Sequence, residues 1–358
     1  MQKKTNVGVV GLGWGARHIA CLVNNQNAEV VAVCARNAVK AREVANTYGI
    51  GTVYTDYREM LAKAGLDAVV VATPDDLHYQ MVNEALDSRL HVLCEKPLAL
   101  DAGQAAELCK KADEIGVKHM TFFTFRWVPH YQHLRDLLKE GYIGRCFECH
   151  FQWTNGATLK PEEYKWRYDA RRTHGAVADL GSHLVDLAHW IVGDVVAVSA
   201  SVKAISRKPQ HANKETDSSS DSAIIVAEFE NGCHGTINVS QVAATGVNAQ
   251  QVTLYGEQGI LMACLSTKEI KILGRTDAEK DVKEIELPGQ VWPELSKDDP
   301  PIPQFFSRLT KGPYGTGSFI DAIADDKAAS PSFRDGHRAQ RVIDAAIESS
   351  AKGQRVSL

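Results

Sequence analysis

Three short stretches of this chain set reactive side chains among residues that restrict them. In Glu95-Lys96-Pro97 an ammonium is followed by a proline that stiffens its turn. In Asp179-Leu180-Gly181-Ser182-His183 a carboxylate and an imidazole stand four residues apart, on one face of a helix if helix begins near Val177. A carboxylate beside an imidazole raises its basicity and orients it, as proton transfer to or from an alcohol near neutral pH requires. The third stretch, Gly11-Leu12-Gly13-Trp14-Gly15-Ala16, reads G-x-G-x-x-A. In it Gly11 permits a tight turn, Gly13 lets a pyrophosphate reach the backbone, and Ala16 lets a helix pack closely on a strand. Singly, each has a plainer reading: a solvated lysine, a helix-surface ion pair, a glycine-rich turn.

The elements that must position these groups follow one rhythm over the first 120 or so residues. β-rich runs at Val7 to Val10, Val30 to Cys34, Thr52 to Tyr54, Ala68 to Ala72, His91 to Cys94 and Lys118 to Phe122 alternate with helix-length segments. That alternation predicts a doubly wound parallel sheet of the Rossmann kind. Val69-Val70-Val71-Ala72 is apolar throughout, as a strand covered on both faces should be. Beyond Phe125 the pattern changes to a helix near Pro129 to Glu140, a strand from Arg145 to Trp153, a helix from Val177 to Val192, and then successive strands joined by short turns. We therefore expect an α/β chain of two domains, residues 1–124 for cofactor and 125–358 for substrate, the second built on a large, mostly antiparallel open sheet. The last helix, Gly336 to Ser350, has an apolar stripe through Ala339, Val342, Ile343 and Ile347 that suits packing back on the first domain. The Ser-, Asp- and Lys-rich piece from His211 to Asp221 reads as a mobile loop.

The fingerprint follows a strand and opens a helix, so it is expected to bind a dinucleotide through Gly11, Gly13, Trp14, Gly15 and Ala16. About twenty residues on, where an NAD-specific protein usually carries Asp or Glu, stand Ala35 and Arg36, with Lys40 and Arg42 close behind. A guanidinium's planar fork suits a 2′-phosphate, which favours NADP, with NAD as the remaining option. The turns after the fourth and fifth strands, with Thr73, Pro74, His78, Glu95 and Lys96, leave the carboxyl ends where ligands of such sheets collect.

In this order and spacing the three motifs, with Ser332-Phe333-Arg334-Asp335-Gly336 before the last helix, resemble the family of glucose-fructose oxidoreductase, inositol dehydrogenase and rhizopine-catabolism proteins (Gfo/Idh/MocA) over nearly the whole chain. The resemblance implies an NAD(P)-dependent dehydrogenase or reductase acting on CH–OH groups. In it Lys96 would hold the reacting hydroxyl, His183 would be the base in oxidation and Asp179 would assist. It also implies oligomers, a homodimer or homotetramer, formed through the open sheet. Relatives with tyrosine at the histidine position look like dihydrodiol dehydrogenases, so His183 places the chain nearer the inositol and sugar branch. Ala35-Arg36, in contrast, resembles the NADP-using dihydrodiol enzymes. Thr173-His174-Gly175 departs from the three glycines common in relatives, and His174 either lines the substrate pocket or fills an exposed loop. Arg126 is placed to meet substrate or nicotinamide. Trp153, Asn155 and Trp166 offer the aromatic faces and hydrogen-bonding groups that suit a sugar, inositol or related polyol ring. Two alternatives of the same fold stay open: a nicotinamide-dependent glycosidase and a non-catalytic dinucleotide-binding sensor.

Composition sets the outer bounds. With 40 basic and 44 acidic residues in 358 the formal charge is -4, and no long run of one sign offers a surface for nucleic acid or anionic membrane. Apolar stretches fall well short of the roughly 18 to 20 residues a membrane span needs. The Lys3-Lys4 start followed by a glycine-rich run reads as a first strand rather than a signal peptide. The eight scattered cysteines suit reduced thiols of a cytoplasmic protein. No second motif completes Cys146-x-x-Cys149 as a zinc site, so no metal is expected.

Overall fold

The computed structural model describes residues 3–209, 217–244, 246–288 and 301–358. The chain divides into two compact units, 1–123 with 306–340, and 124–305 with 341–358. Residues 306–340 thus group with the first unit, not with the rest of the C-terminal part.

In the first unit, β1 (Thr5–Val10), α1 (Gly15–Leu22), β2 (Ala28–Cys34), α2 (Ala38–Tyr48), β3 (Thr52–Tyr54), α3 (Tyr57–Lys63), β4 (Ala68–Val71), α4 (His78–Asp87), β5 (His91–Cys94), α5 (Ala102–Ile115) and β6 (His119–Thr121) alternate as expected. The sheet order is β3-β2-β1-β4-β5-β6 and every pairing is parallel. The order reverses between β1 and β4, the kind of switch point at whose carboxyl ends ligands of open α/β sheets bind. All four residues of β4 are buried, which its unbroken apolar run requires. One core joins Val69, Val71, Val92, Leu98, Leu108 and Phe333.

Phe333 comes from the returning segment, and the motif around it is a docking device. Asp335 accepts hydrogen bonds from the Ser332 backbone N–H and hydroxyl at 2.7 and 2.9 Å, and Phe333 N–H donates to His119 Nδ1 at 3.0 Å. At Gly336 a Cβ would lie 2.4 Å from Thr121 Oγ1, so glycine is what lets the helix reach β6.

In the second unit, α6 (Pro129–Lys139) precedes β7 (Cys146–Thr154), and α7 (Ser182–Ile191) precedes β8 (Val195–Lys203). β9 (Ser222–Phe229), β10 (His234–Ser240), β11 (Ala249–Gly256), β12 (Gly259–Ser266), β13 (Ile270–Thr276) and β14 (Lys283–Ile285) follow. The helices α8 (Pro301–Leu309), α9 (Thr316–Ala324) and α10 (Phe333–Lys352) and the short β15 (Val356–Ser357) complete the chain. Nine strands form one sheet in the order β14-β13-β12-β11-β7-β10-β9-β8-β15, antiparallel except where β7 meets β10. Alternation is clear in β9: Ala223, Ile225, Ala227 and Phe229 are buried, while Ile224 and Val226 face outward.

Of the expected mobile loop, 211–216 lie outside the described residues. Residues 217–221 are instead tied down, because Ser218 bridges to Asp169, Ser220 bridges to Gly175, and the fully buried Asp221 lies 3.5 Å from the Lys208 ammonium. The Cys146 and Cys149 thiols are buried in β7, and Cys146 Sγ lies 3.9 Å from Cys233 Sγ. His150, next to this motif, bonds Glu148 and Thr236. Among the described residues no helix is long and apolar enough to cross a membrane.

Candidate functional site

In the first unit the chain turns sharply from β1 into α1. Gly11 sits at φ +86°, and a Cβ there would lie 2.3 Å from the Ala72 carbonyl oxygen, so both conformation and space demand glycine. At Gly13 a Cβ would meet nothing within 4 Å, which leaves open space over the loop. The close contact between helix and strand belongs to Gly15 rather than to Ala16, since a Gly15 Cβ would press on Val9 Cγ1 at 3.1 Å while Ala16 is half-buried.

At the start of α1, Trp14 gives no side-chain cap and no acid stands in the first turn. The same holds at α4, α6 and α7, whereas α2, α3 and α5 are capped by Asn37, Asp56 and Asp101. Trp14 lies exposed, with the Arg17 guanidinium 4.1 Å above its ring and 4.6 Å from that of Phe306. At the end of β2, Asn37 is spent on the cap of α2, accepting from Lys40 N–H at 3.0 Å. Arg36 and Lys40 both project into solvent beside half-buried Ala35. An uncapped helix end, open space at Gly13 and two projecting cations at β2 all fit a dinucleotide.

The turns after β4 and β5 are stitched together by His78, which is fully buried. Its Nδ1 lies 2.7 Å from Pro97 O and its Nε2 2.9 Å from Thr73 O, so it ties the two turns to each other. Pro74 precedes the short 3-10 turn Asp75–Leu77, and Thr73 Oγ1 lies 3.6 Å from Met81 Sδ. Glu95 is buried, and its Oε1 lies 3.0 Å from His18 Nε2 on α1. Burial alone would raise the Glu95 pKa. The His18 hydrogen bond and the electrostatic influence of His18, Lys96 and His78 outweigh it and hold this carboxyl below the usual glutamate range. Lys96, half-buried, follows directly, and its peptide bond to Pro97 is cis.

In the second unit α7 is entered through a π-helical turn, Val177–Gly181, instead of the regular helix expected from Val177. Such a wider turn re-aims the side chains it carries. Asp179, on this turn, accepts from Gln241 Nε2 at 3.0 Å and lies 3.9 Å from Arg167 Nε. A cavity of about 110 Å³ opens beside it, lined by Thr158, Lys165, Arg167, Tyr168, Asp179 and Gln241. His183 starts α7 and is nearly buried, edge-on to Phe125 with centroids 4.8 Å apart and 5.8 Å from the Trp153 ring. Trp153 is fixed in turn by an indole N–H donated to Asn248 at 2.6 Å.

The remaining expected residues are placed as follows. Arg126 is held by Asp186, with Nε to Oδ2 at 2.8 Å and Nη2 to Oδ1 at 2.5 Å, both side chains being buried. Both oxygens of a carboxylate on the helix of His183 thus lie on the guanidinium expected at nicotinamide or substrate. Asn155 accepts from Ala157 N–H at 3.0 Å in a turn that ends β7. Trp166 lies under the Arg167 guanidinium at 4.3 Å. His174 is half-buried, and its carbonyl accepts from the Ser220 hydroxyl. Sequence reasoning missed His18, Phe125, Gln241 and Asn248, whose only signal was polarity or aromaticity next to a predicted element.

Against known proteins, the GFO_IDH_MocA family matches twice, as "Oxidoreductase family, NAD-binding Rossmann fold" over residues 5–123 and as "Oxidoreductase family, C-terminal alpha/beta domain" over residues 135–358. An uncharacterised oxidoreductase of Synechocystis sp. is 28% identical over 357 residues, with 96% of this chain and 94% of that protein covered. The inositol 2-dehydrogenase of Rhizobium meliloti is 26% identical over 359 residues, with 98% of each covered. In fold, the chain is similar to a solved structure of levoglucosan dehydrogenase in complex with NADH and levoglucosan, with a TM-score of 0.88 at 22% identity over 99% of both chains. Since the two family matches leave out only residues 1–4 and 124–134, the chain belongs to the GFO_IDH_MocA oxidoreductases, an enzyme family of NAD-binding dehydrogenases.

Proposed function

We propose that this enzyme transfers a hydride between nicotinamide and a ring carbinol or carbonyl carbon of a sugar, inositol or related cyclic polyol. NADP is its preferred dinucleotide and NAD the second. The observation that carries this reading is the bond from His18 to Glu95, which ties the turn of Lys96 to the helix whose open end suits the pyrophosphate. A nicotinamide dinucleotide held at this end of α1 would supply the hydride acceptor or donor. The side chains do the rest. The Lys96 ammonium holds the reacting oxygen and offsets its developing charge, while His183 takes the proton in oxidation and gives it back in reduction. Asp179 assists His183. The cavity beside Asp179 receives the substrate ring, and Trp153, Asn155, Trp166, His174 and Arg126 serve its hydroxyls and faces. Arg36, projecting and backed by Lys40, supports a 2′-phosphate.

A cofactor-reduction screen of inositols, aldoses and aldonolactones with NAD and NADP tests this reading. We expect turnover on at least one cyclic polyol or sugar, lowered about 100- to 10,000-fold in folded Lys96→Ala and His183→Ala variants. Arg36→Ala should raise KM for NADP far more than for NAD. Undiminished turnover in both catalytic variants would refute the assigned roles. A clear NAD preference that Arg36→Ala leaves untouched would refute the NADP preference.

We further propose a homodimer or homotetramer formed through the outward face of the large sheet. Ile224, Val226 and Tyr255 are 56%, 47% and 38% exposed there. Sedimentation should give a dimer or larger species that Ile224→Lys with Val226→Lys converts to monomer; a monomeric wild type at micromolar concentration would count against it. The eight unpaired cysteines support action in the reducing cytoplasm.

A further inference from the structure

Within the first unit a line of side chains runs from the returning segment to the turn of Lys96. His18, one helical turn beyond the glycine loop, is 2% exposed. Its Nδ1 lies 2.7 Å from Thr316 Oγ1 on α9, its Nε2 3.0 Å from Glu95 Oε1, and the Phe122 ring closes on it with centroids 4.6 Å apart. The second oxygen of Glu95, Oε2, accepts the backbone N–H of Lys96 at 3.3 Å. Each oxygen of a buried carboxylate is therefore met by a donor, one from α1 and one from the turn itself.

This arrangement is more than packing needs. Ile19, Leu22 and Phe122 are buried nearby, and an apolar residue at 18 would fill the space without taking polar groups out of water. A buried imidazole is useful here because its ring is rigid and its two nitrogens point to two elements at once. The Thr316 hydroxyl both donates and accepts, so Nδ1 is satisfied in either protonation state while Nε2–H stays on Glu95. Partners of this kind fix the orientation of a functional group without touching the reactants.

We propose that His18 is a positioning residue for Lys96. Through Nε2–H it holds Glu95, Glu95 holds the Lys96 backbone, and Thr316 holds the ring, so the ammonium is set where the reacting oxygen arrives. The proposal rests on the reading of Lys96 as the residue that holds that oxygen.

Four single variants and one double variant test it. His18→Leu removes both nitrogens, His18→Gln keeps an N–H near the place of Nε2, and Thr316→Val removes the hydroxyl while keeping its shape. Each is assayed for dinucleotide affinity by fluorescence titration, for hydrogen exchange of the Lys96 amide without substrate, and for kcat and KM on the best substrate of the screen. For His18→Leu we expect dinucleotide affinity and KM within about threefold of wild type, kcat down about 30- to 300-fold, and Lys96 exchange at least about tenfold faster. His18→Gln should recover most of both losses, and adding Glu95→Gln to His18→Leu should cost little more than either alone. Thr316→Val should lower kcat about three- to tenfold with a smaller rise in exchange. Unchanged exchange and turnover in His18→Leu, equal defects in the Leu and Gln variants, or additive losses with Glu95→Gln would overturn the proposal. If His18→Leu does not fold, wild-type exchange and turnover in Thr316→Val, or a large loss of both in His18→Gln, overturns it. Full turnover in Lys96→Ala would remove the reading beneath, while the exchange measurements would still judge the link from His18 to Lys96.

Discussion

Asp186→Ala is expected to destabilise the second unit by about 3–5 kcal/mol, the usual cost of removing one partner from a buried charge pair. Arg126 and Asp186 are 8% and 1% exposed and share two hydrogen bonds of 2.8 and 2.5 Å, so the variant takes the carboxylate from a guanidinium with little water around it. The indole of Trp190, 5.8 Å from this guanidinium, is already closer to Arg135 at 4.4 Å and cannot replace a carboxylate. Replacing both partners at once, as Arg126→Met with Asp186→Leu, should cost far less, because neither member of this pair is then left as a buried charge. Denaturant unfolding of the two variants reads the difference. A loss below about 1 kcal/mol in Asp186→Ala would mean that the pair is solvated and that the geometry argued above does not hold. Asp186 lies one helical turn beyond His183, so a fall in kcat is expected even where Asp186→Ala is still folded.

The second large effect separates two glycines that a motif treats alike. Gly11→Ala brings a methyl group to 2.3 Å from the Ala72 carbonyl oxygen at a φ of +86°, and β1 must part from the β4 turn to admit it. The left-handed conformation alone costs about 1–2 kcal/mol for a residue with a Cβ, before the backbone clash is counted. Both melting temperature and dinucleotide affinity should fall, the latter by well over tenfold. Gly13→Ala meets no protein atom within 4 Å. It should leave stability within about 0.5 kcal/mol and, if the proposed placement of the dinucleotide holds, weaken its binding, because the added carbon enters the space assigned to the pyrophosphate. A Gly13→Ala protein with unchanged affinity, measured beside Gly11→Ala, would show that the open space over the loop is not where the phosphates lie.

The parts of this fold that could be read in the sequence are those whose signals are local. The apolar run of β4, the alternation of β9 and the glycines after β1 each carry their periodicity or turn chemistry within a few residues. What could not be read are pairings across distance. Arg126 finds Asp186 sixty residues on, Asp179 finds Gln241 sixty-two on, and His18 finds Thr316 after 298 residues. A cation in a turn looks the same whether it meets a carboxylate or a ligand, so the Asp186 partner of Arg126 could not be read beforehand. The helix at Val177 was expected to be regular because apolar spacing does not distinguish an α-turn from a π-turn. The small residue that lets α1 approach β1 was expected at Ala16 from its place in the motif; Gly15 makes the contact because it faces the strand.

The return of residues 306–340 to the first unit bears on how the chain is made. A fragment ending near residue 124 would have every strand of the parallel sheet, yet it would lack Phe333 in its core and Thr316 against His18. At about 5–20 residues per second a ribosome needs roughly 10–40 s to go from residue 123 to residue 340. Over that interval the nascent nucleotide-binding unit waits with an apolar socket open. Vectorial synthesis cannot finish the first unit before the second has emerged, so the two mature together, and a chaperone site on the unfinished chain would lie at the place that Phe333 later fills.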